Sequence, residues 1–306
     1  MIKSAQRESE NGLPWINPVG GLGDQLMLSG VLKLAHDQDP TKRYNLVRRT
    51  NYTAILGGHP AIATVGHPPK DAEVLGVDYW GMEPLGPGPQ RAFQVLARSF
   101  GVEMPAEERL YVPGGVERDE FLESIIPWKS HNVLIAPASD SPRKVLHPMA
   151  WHRLVDLLHQ SGFFVAQVGR LRDLRIRNAY SLLGLTTPRQ LIGLLPRADV
   201  VVTLDSFILH ACHLVGAPTV AIWGATRNQV YGYPGQTHIQ MPRMCQLGPD
   251  EDCIDTARNR DGTVYGTPCP MGEKHCIDQV RIESIVDAVK EKLVSGKQRS
   301  AGALTT

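Results

Sequence analysis

The sequence predicts an α/β protein built from two doubly wound parallel sheets. Three observations carry that prediction. Val200-Val201-Val202-Thr203-Leu204 and Thr219-Val220-Ala221-Ile222-Trp223 are charge-free runs rich in β-branched residues, the pattern of strands covered on both faces. Phe207 to Val215 between them is apolar on most faces, so a short buried helix joins the two strands. The alternation of strand and helix runs through the first hundred residues and restarts at Asn132, which implies a second sheet.

In the first half, Leu13 to Val19 is a strand and Gly20-Gly21-Leu22-Gly23-Asp24 a glycine-rich turn. Gln25 to His36 follows as a helix with Leu26, Leu28, Val31, Leu32 and Ala35 apolar. Asn45-Leu46-Val47 is the next strand, and Glu73 to Tyr79 a short one inside a Gly- and Pro-rich stretch. Gln90 to Gly101 places Phe93, Leu96, Ala97 and Phe100 on one helical face. Leu110-Tyr111-Val112-Pro113 reads as a strand, and Glu117 to Ile126 as a helix ended by Pro127. A linker there divides the chain into a domain over 1–128 and a domain over 129–306.

The second half opens with the strand Asn132 to Ala136, the loop Pro137 to Pro148 and the helix Trp151 to Ser161. Gly162 to Gly169 is a strand with a glycine exit, and Pro188 to Leu195 a helix. Asp205-Ser206 supplies N-cap chemistry where the strand Val200–Leu204 stops. Gly216 closes the following helix, and Pro218 prevents its continuation. Ile282 to Val294 is the last helix.

The composition is that of a soluble globular chain: 306 residues, 42% hydrophobic and 21% charged. A net charge of +1 gives no electrostatic reason to expect a nucleic acid partner. No apolar run reaches the roughly 18 residues of a spanning helix, and Met1 to Gly12 is too polar for a secretory signal. A cytoplasmic chain is expected, with peripheral membrane contact left open. Five cysteines in such a chain argue against a disulfide framework. Cys212 belongs to the buried helix as a core residue. Cys245, Cys253, Cys269 and Cys276 crowd into a polar insertion spanning 240–279. Four thiolates within reach of one point suit a tetrahedral Zn or Fe ion; free or paired cysteines in a surface loop are the alternative.

The helix start after Asp205-Ser206 opens at the carboxyl ends of parallel strands, where doubly wound sheets bind ligands and where backbone amides suit a phosphate. Asp205, Ser206 and His210 are therefore candidate site residues, although Asp and Ser at a helix start also serve as plain caps. The turn Gly20 to Asp24 brings backbone close to a ligand in the same way. Its glycines do not stand at the first, third and sixth positions that a dinucleotide fold requires, and Arg48-Arg49 replaces the acidic residue expected after the second strand. A nicotinamide oxidoreductase is thereby disfavoured.

The run Thr187-Pro188-Arg189-Gln190-Leu191 through Ala198-Asp199, then Asp205-Ser206, His210, Gly216-Ala217-Pro218 and Trp223-Gly224-Ala225-Thr226, resembles glycosyltransferase family 9, the ADP-heptose:lipopolysaccharide heptosyltransferases. Leu204 replaces the family's usual Asn, Trp223 its Phe and Ala138 its Gly. The resemblance implies the GT-B fold, two Rossmann-like doubly wound domains facing a cleft, with the final helix returning towards the first domain. It implies inverting transfer from a nucleotide-diphosphate sugar, ADP-heptose by expectation, to a glycan, lipid-linked or protein hydroxyl. No catalytic metal is expected. Asp24 matches the family's general base, with Gly21 and Gly23 beside it on the acceptor side, together with Tyr52 to Pro60. Arg143 or Lys144 matches the cation that faces the diphosphate, and Gly169, Asp205, Ser206 and His210 complete the donor side. Related autotransporter heptosyltransferases carry iron on cysteines of a similar insertion. The competing reading is a noncatalytic scaffold of the same fold that uses the cysteine segment for contacts.

Overall fold

The computed structural model describes residues 12–18, 20–48, 53–77, 90–103, 107–245, 257–258, 264–265, 269–272 and 275–302. They divide into two compact units, one up to Gly115 and one from Val116 onwards.

The first unit carries strands β1 (Trp15–Pro18), β2 (Tyr44–Val47), β3 (Ile62–Gly66) and β4 (Val74–Val77), in the order β3-β2-β1-β4 with every pairing parallel. Helices α1 (Leu22–Gln38), α2 (Thr53–Leu56) and α3 (Ala92–Ser99) complete it. The apolar stripe of α3 is buried as its periodicity requires, with Phe93, Leu96 and Ala97, and Phe100 just past its end, all at 8% exposure or less. Leu110 to Val112 is not a strand. Leu110 and Val112 are buried, but as irregular chain beside α1, where the Arg109 carbonyl takes the space a Cβ on Gly30 would fill. An apolar run of three is too short to tell a strand from a buried coil.

The second unit begins with α4 (Glu120–Ile125), which lies before the linker expected near Pro127. It is fixed to later elements of the same unit. Gln190 donates to Asp119, and Glu123 pairs with both Arg118 at 2.6 Å and Arg197 at 3.4 Å. The sheet contains β5 (Asn132–Ala136), β6 (Phe164–Gln167), β7 (Tyr180–Ser181), β8 (Val200–Leu204), β9 (Thr219–Trp223) and β10 (Thr237–Gln240). Their order is β10-β9-β8-β5-β6-β7, parallel throughout. Residues of β5, β8 and β9 are uniformly buried, as charge-free runs demand. Helices α5 (Pro148–Gln160), α6 (Pro188–Leu194), α7 (Phe207–Val215) and α8 (Asn228–Tyr231) connect the strands, and α9 (Ile282–Gly302) ends the unit. Gly216 adopts the left-handed conformation, φ +66°, that closes α7.

The core gathers Trp151, Leu154 and Leu158 of α5, the inward residues of β5, β8 and β9, and Ile285, Val286 and Val289 of α9. Helix α9 packs on α5 and the sheet of the second unit through Ile285, Val286 and Val289. A two-stranded antiparallel pair, β11 (Ala257–Arg258) and β12 (Val264–Tyr265), lies in the insertion. Among the described residues no helix is long and apolar enough to cross a membrane.

Gly193 in α6 lies against the start of the second unit. A Cβ there would strike the backbone carbonyl of Glu117, which cannot swing aside as a side chain can. Ala favours a helix by up to about 1 kcal/mol, but forced overpacking costs about 1–3 kcal/mol. Gly193→Ala is therefore expected to lower unfolding stability in urea despite its better helix propensity. A neutral or stabilising result would show that residues 116–118 are not fixed against α6.

Candidate functional site

In the second sheet the chain runs from β5 outwards to β6 and β7 on one side, and from β8 outwards to β9 and β10 on the other. The order reverses between β5 and β8, the topological switch point outside whose carboxyl ends doubly wound folds bind ligands. Ser139, beyond β5, donates its hydroxyl to the Asp205 carbonyl beyond β8 at 3.0 Å, spanning that point.

Asp205 is only 6% exposed. A buried carboxylate without a partner would be costly. Lys144 answers it from the loop after β5, Nζ to Oδ2 at 2.7 Å, and Thr226 donates to the same oxygen at 2.6 Å from the loop after β9. Burial pushes the Asp205 carboxyl up, but the Lys144 charge, the hydrogen bonds from Lys144 and Thr226 and the nearby His210 outweigh it, so the group is held below its ordinary range. Of the two candidate cations, Lys144 is the one that reaches Asp205. It also lies 5.9 Å from the centre of the Tyr231 ring. Arg143, one residue earlier in the 3₁₀ turn Pro142–Lys144, is buried at 5% exposure.

Ser206 stands at the N-cap position of α7, but its side chain makes no cap hydrogen bond. Its hydroxyl faces that of Thr203 at 3.3 Å. Asp205 is likewise engaged with side chains, so the cap chemistry expected of this pair is not made. His210, one turn into α7, is buried with Nδ1 2.7 Å from the Tyr233 hydroxyl, and His213 stacks on the same ring at 3.9 Å. Gly169 follows β6, accepts from the Gly184 N–H at 2.9 Å, and leaves room for the Asp173 carboxylate. Asp173 and Asp140 hold Arg170 from both sides, at 3.0 and 2.7 Å. The structure therefore brings Lys144, Asp205, Ser206 and His210 together at the switch point.

In the first unit the order β3-β2-β1-β4 reverses between β1 and β4. The turn after β1 carries Gly20 to Asp24. Gly20, at φ +94°, lies so close to the Asp24 carboxylate that no Cβ would fit. Asp24 accepts from the Gly21 N–H at 2.6 Å, in the first turn of α1, where a negative charge also suits the helix dipole. Gly23 is buried in that same turn. His59 is buried and pushed down to about 4, by burial first, with Nε2 against the Ser29 carbonyl at 3.0 Å opposing the shift.

Of the four clustered cysteines, Cys253 lies outside the described residues. Cys276 accepts from the Met244 N–H at 3.4 Å. No group of three or more His, Cys, Asp or Glu that could hold a metal is formed among the described residues. Cys212 is fully buried, as expected of a core residue, and burial pushes its thiol up to about 12. A cavity of about 530 Å³ lies at the edge of the second sheet, lined among others by His159, Phe164, Arg175 and Tyr180; no residue of the expected site borders it.

Two units of parallel strands, the second with an acidic and a basic side chain paired at its switch point, define a GT-B type fold. Residues 89–252, more than half of the chain, match glycosyltransferase family 9 (heptosyltransferase). The chain belongs to that family, and it is a glycosyltransferase. No curated protein sequence matches it. Among solved structures it is similar to E. coli ADP-heptose LPS heptosyltransferase II, at 13% identity and TM-score 0.61, over 93% of this chain and 100% of that one. It is similar to a family 9 glycosyltransferase of Veillonella parvula, at 14% identity and TM-score 0.63, over 92% and 98%. It is also similar to the iron-containing dodecameric glycosyltransferase TibC of enterotoxigenic E. coli, at 15% identity and TM-score 0.65, over 92% and 76%.

Thr226, Ser139, Tyr231 and Tyr233 escaped the sequence reading as site residues. Thr226 stood in the recognised Trp223-Gly224-Ala225-Thr226 segment without a role. For the tyrosines no sequence signal exists, since their partners lie elsewhere in the chain.

Removing one partner of a buried ion pair costs about 3–5 kcal/mol. Lys144 is partly open, with 27% of its side chain exposed, so Lys144→Met is expected to cost about 3 kcal/mol at pH 7, the lower end of that range. The sign of the pH dependence follows from Asp205. Its folded value lies below its unfolded one, so its contribution is present above the unfolded value and is lost as pH falls through the folded value. The gap between wild type and Lys144→Met in thermal unfolding should therefore narrow towards acid pH, and Lys144→Met/Asp205→Asn should recover part of the loss. A gap independent of pH would contradict the pairing.

Proposed function

We propose that the protein transfers a heptose-like sugar from ADP-heptose to a hydroxyl acceptor with inversion, using Asp24 as general base. The observation that carries the donor half is the Lys144–Asp205 pair at the switch point of the second sheet. A nucleotide diphosphate placed there meets a lysine ammonium and the uncapped N-terminus of α7, both suited to charge that grows on a departing diphosphate. The Asp205 carboxylate is suited to accept hydrogen bonds from sugar hydroxyls. Arg143, Gly169, Ser206 and His210 belong to the same donor side. Similar structures support the donor class: TibC has been solved with ADP-D-β-D-heptose, and E. coli WaaC with ADP-2-deoxy-2-fluoro heptose.

The chemistry is a displacement at the anomeric carbon. The acceptor oxygen forms the new bond as the bond to the diphosphate breaks, the hydroxyl proton goes to Asp24, and the electron pair leaves with ADP. Asp24 needs to be a carboxylate for this, and the hydrogen bond from the Gly21 N–H holds its orientation. Gly21 and Gly23 shape the turn that presents it. The acceptor is a glycan, a lipid-linked saccharide or a protein hydroxyl. A cytoplasmic location, with peripheral membrane contact, is part of the proposal.

Wild-type protein is expected to release ADP from ADP-heptose, slowly with water and faster with an acceptor. Asp24→Asn should cut that release by on the order of 10²–10⁴-fold while ADP binding, followed by calorimetry, stays within about twofold. Unchanged turnover in Asp24→Asn would remove Asp24 from the mechanism. No ADP release from wild type would favour a noncatalytic protein of the same fold.

A structural Zn or Fe ion on Cys245, Cys253, Cys269 and Cys276 completes the proposal. Its support is their crowding in a polar segment with little apolar area to offset its ordering entropy, which metal binding could supply. Elemental analysis of protein purified without chelator should give about one metal per chain, lost in Cys276→Ser. A ratio near zero with freely titratable thiols would contradict it.

A further inference from the structure

Three strand ends meet at one atom. Lys144 comes from the loop after β5, Asp205 from the end of β8 and Thr226 from the loop after β9, and both polar contacts to the carboxylate fall on Oδ2. An ionised carboxylate only accepts, so the Thr226 hydroxyl is the donor in its bond. Thr226 is itself buried at 5% exposure, and its loop is fixed from two directions. Gln240 of β10 donates to the Thr226 carbonyl at 3.2 Å, and Gly224 packs so closely on Ile277 that a Cβ there would lie 2.6 Å from the Ile277 Cβ.

We propose that Thr226 is a positioning residue for donor-sugar recognition: its hydroxyl anchors Oδ2 of Asp205 so that the carboxylate presents its other oxygen to the sugar. The inference rests on the reading of Asp205 as the sugar contact. The two donors to Oδ2 are not equivalent. Lys144 carries three N–H donors on a flexible stem, and a diphosphate arriving at the switch point competes for them. Thr226 is short, β-branched and stiff at χ1, and its single O–H is committed to Asp205. When Lys144 turns towards phosphate, Thr226 keeps the carboxylate in place. A nucleotide lacking the sugar makes no use of that orientation, so its affinity is insensitive to Thr226.

Thr226→Val keeps the shape and removes the donor; Thr226→Ser keeps the donor. ADP and ADP-heptose are titrated separately by calorimetry, without acceptor, into wild type, Thr226→Val, Thr226→Ser and Asp205→Asn. Thr226→Val should weaken ADP-heptose by about tenfold, the worth of one hydrogen bond to a charged group, and leave ADP within about twofold. Thr226→Ser should restore ADP-heptose binding. Equal losses for both ligands in Thr226→Val, or no rescue by Ser, would reduce Thr226 to a structural residue and overturn the inference. A loss of ADP-heptose affinity in Asp205→Asn but not in Thr226→Val would overturn it while leaving the reading of Asp205 intact. No selective loss in Asp205→Asn, or no gain of ADP-heptose over ADP in wild type, would overturn that reading and the inference with it.

Discussion

A carboxylate buried where parallel strands end must be answered by charge, and the second unit is arranged around that demand. Asp205 lies at the end of a strand whose five residues are all buried. Its desolvation is the largest influence on its titration, yet the group stays below its ordinary range because Lys144 and Thr226 converge on it. Those two residues belong to loops after two different strands, so the ion pair can form only when the sheet has assembled in its order. The electrostatics of the site and the topology of the fold are one constraint.

The order of the strands determines where chemistry can be placed. Both sheets reverse direction next to their first strand, between β1 and β4 in one and between β5 and β8 in the other. At each reversal the chain leaves a strand and enters a helix whose first turn lies at the opening. Asp24 stands at one such turn and Asp205-Ser206 at the other. The two differ in the way their acids are satisfied. Asp24 takes a backbone N–H of its own turn, a local bond that holds its orientation. Asp205 takes side chains from distant loops, which leave the backbone amides at the start of α7 without a side-chain cap. An anion arriving there has amides and an ammonium to meet.

Much of this was legible in the sequence where burial is complete. The strands at Asn132–Ala136, Val200–Leu204 and Thr219–Trp223 and the helix Phe207–Val215 have the bounds that their apolar runs mark. The edges were not legible. β10, Thr237 to Gln240, is half-buried along its length and mixes polar with apolar residues, so no run betrays it. Helix α1 begins at Leu22 rather than Gln25, because a turn of glycines hides a helix start from propensity. Leu110 to Val112 is apolar for packing, not for pairing. In the site, the identities of Asp24, Lys144, Asp205 and His210 came from motifs, but what each touches did not. Asp205-Ser206 reads as both cap and site in the sequence because caps are local; the partner of Asp205 lies 61 positions away by number, at Lys144. Pairings between loops of different strands leave no periodic trace, so the sequence carries no signal of what Thr226 and Tyr233 touch.

The central claim is that the switch point between β5 and β8 is the nucleotide-diphosphate site. The most direct measurement is a crystal structure of the protein with ADP. The account predicts the diphosphate at the N-terminus of α7, with Lys144 within hydrogen-bond distance of a phosphate oxygen. A nucleotide found instead in the cavity beside Arg175 and Tyr180, with the Lys144–Asp205 pair untouched, would contradict it.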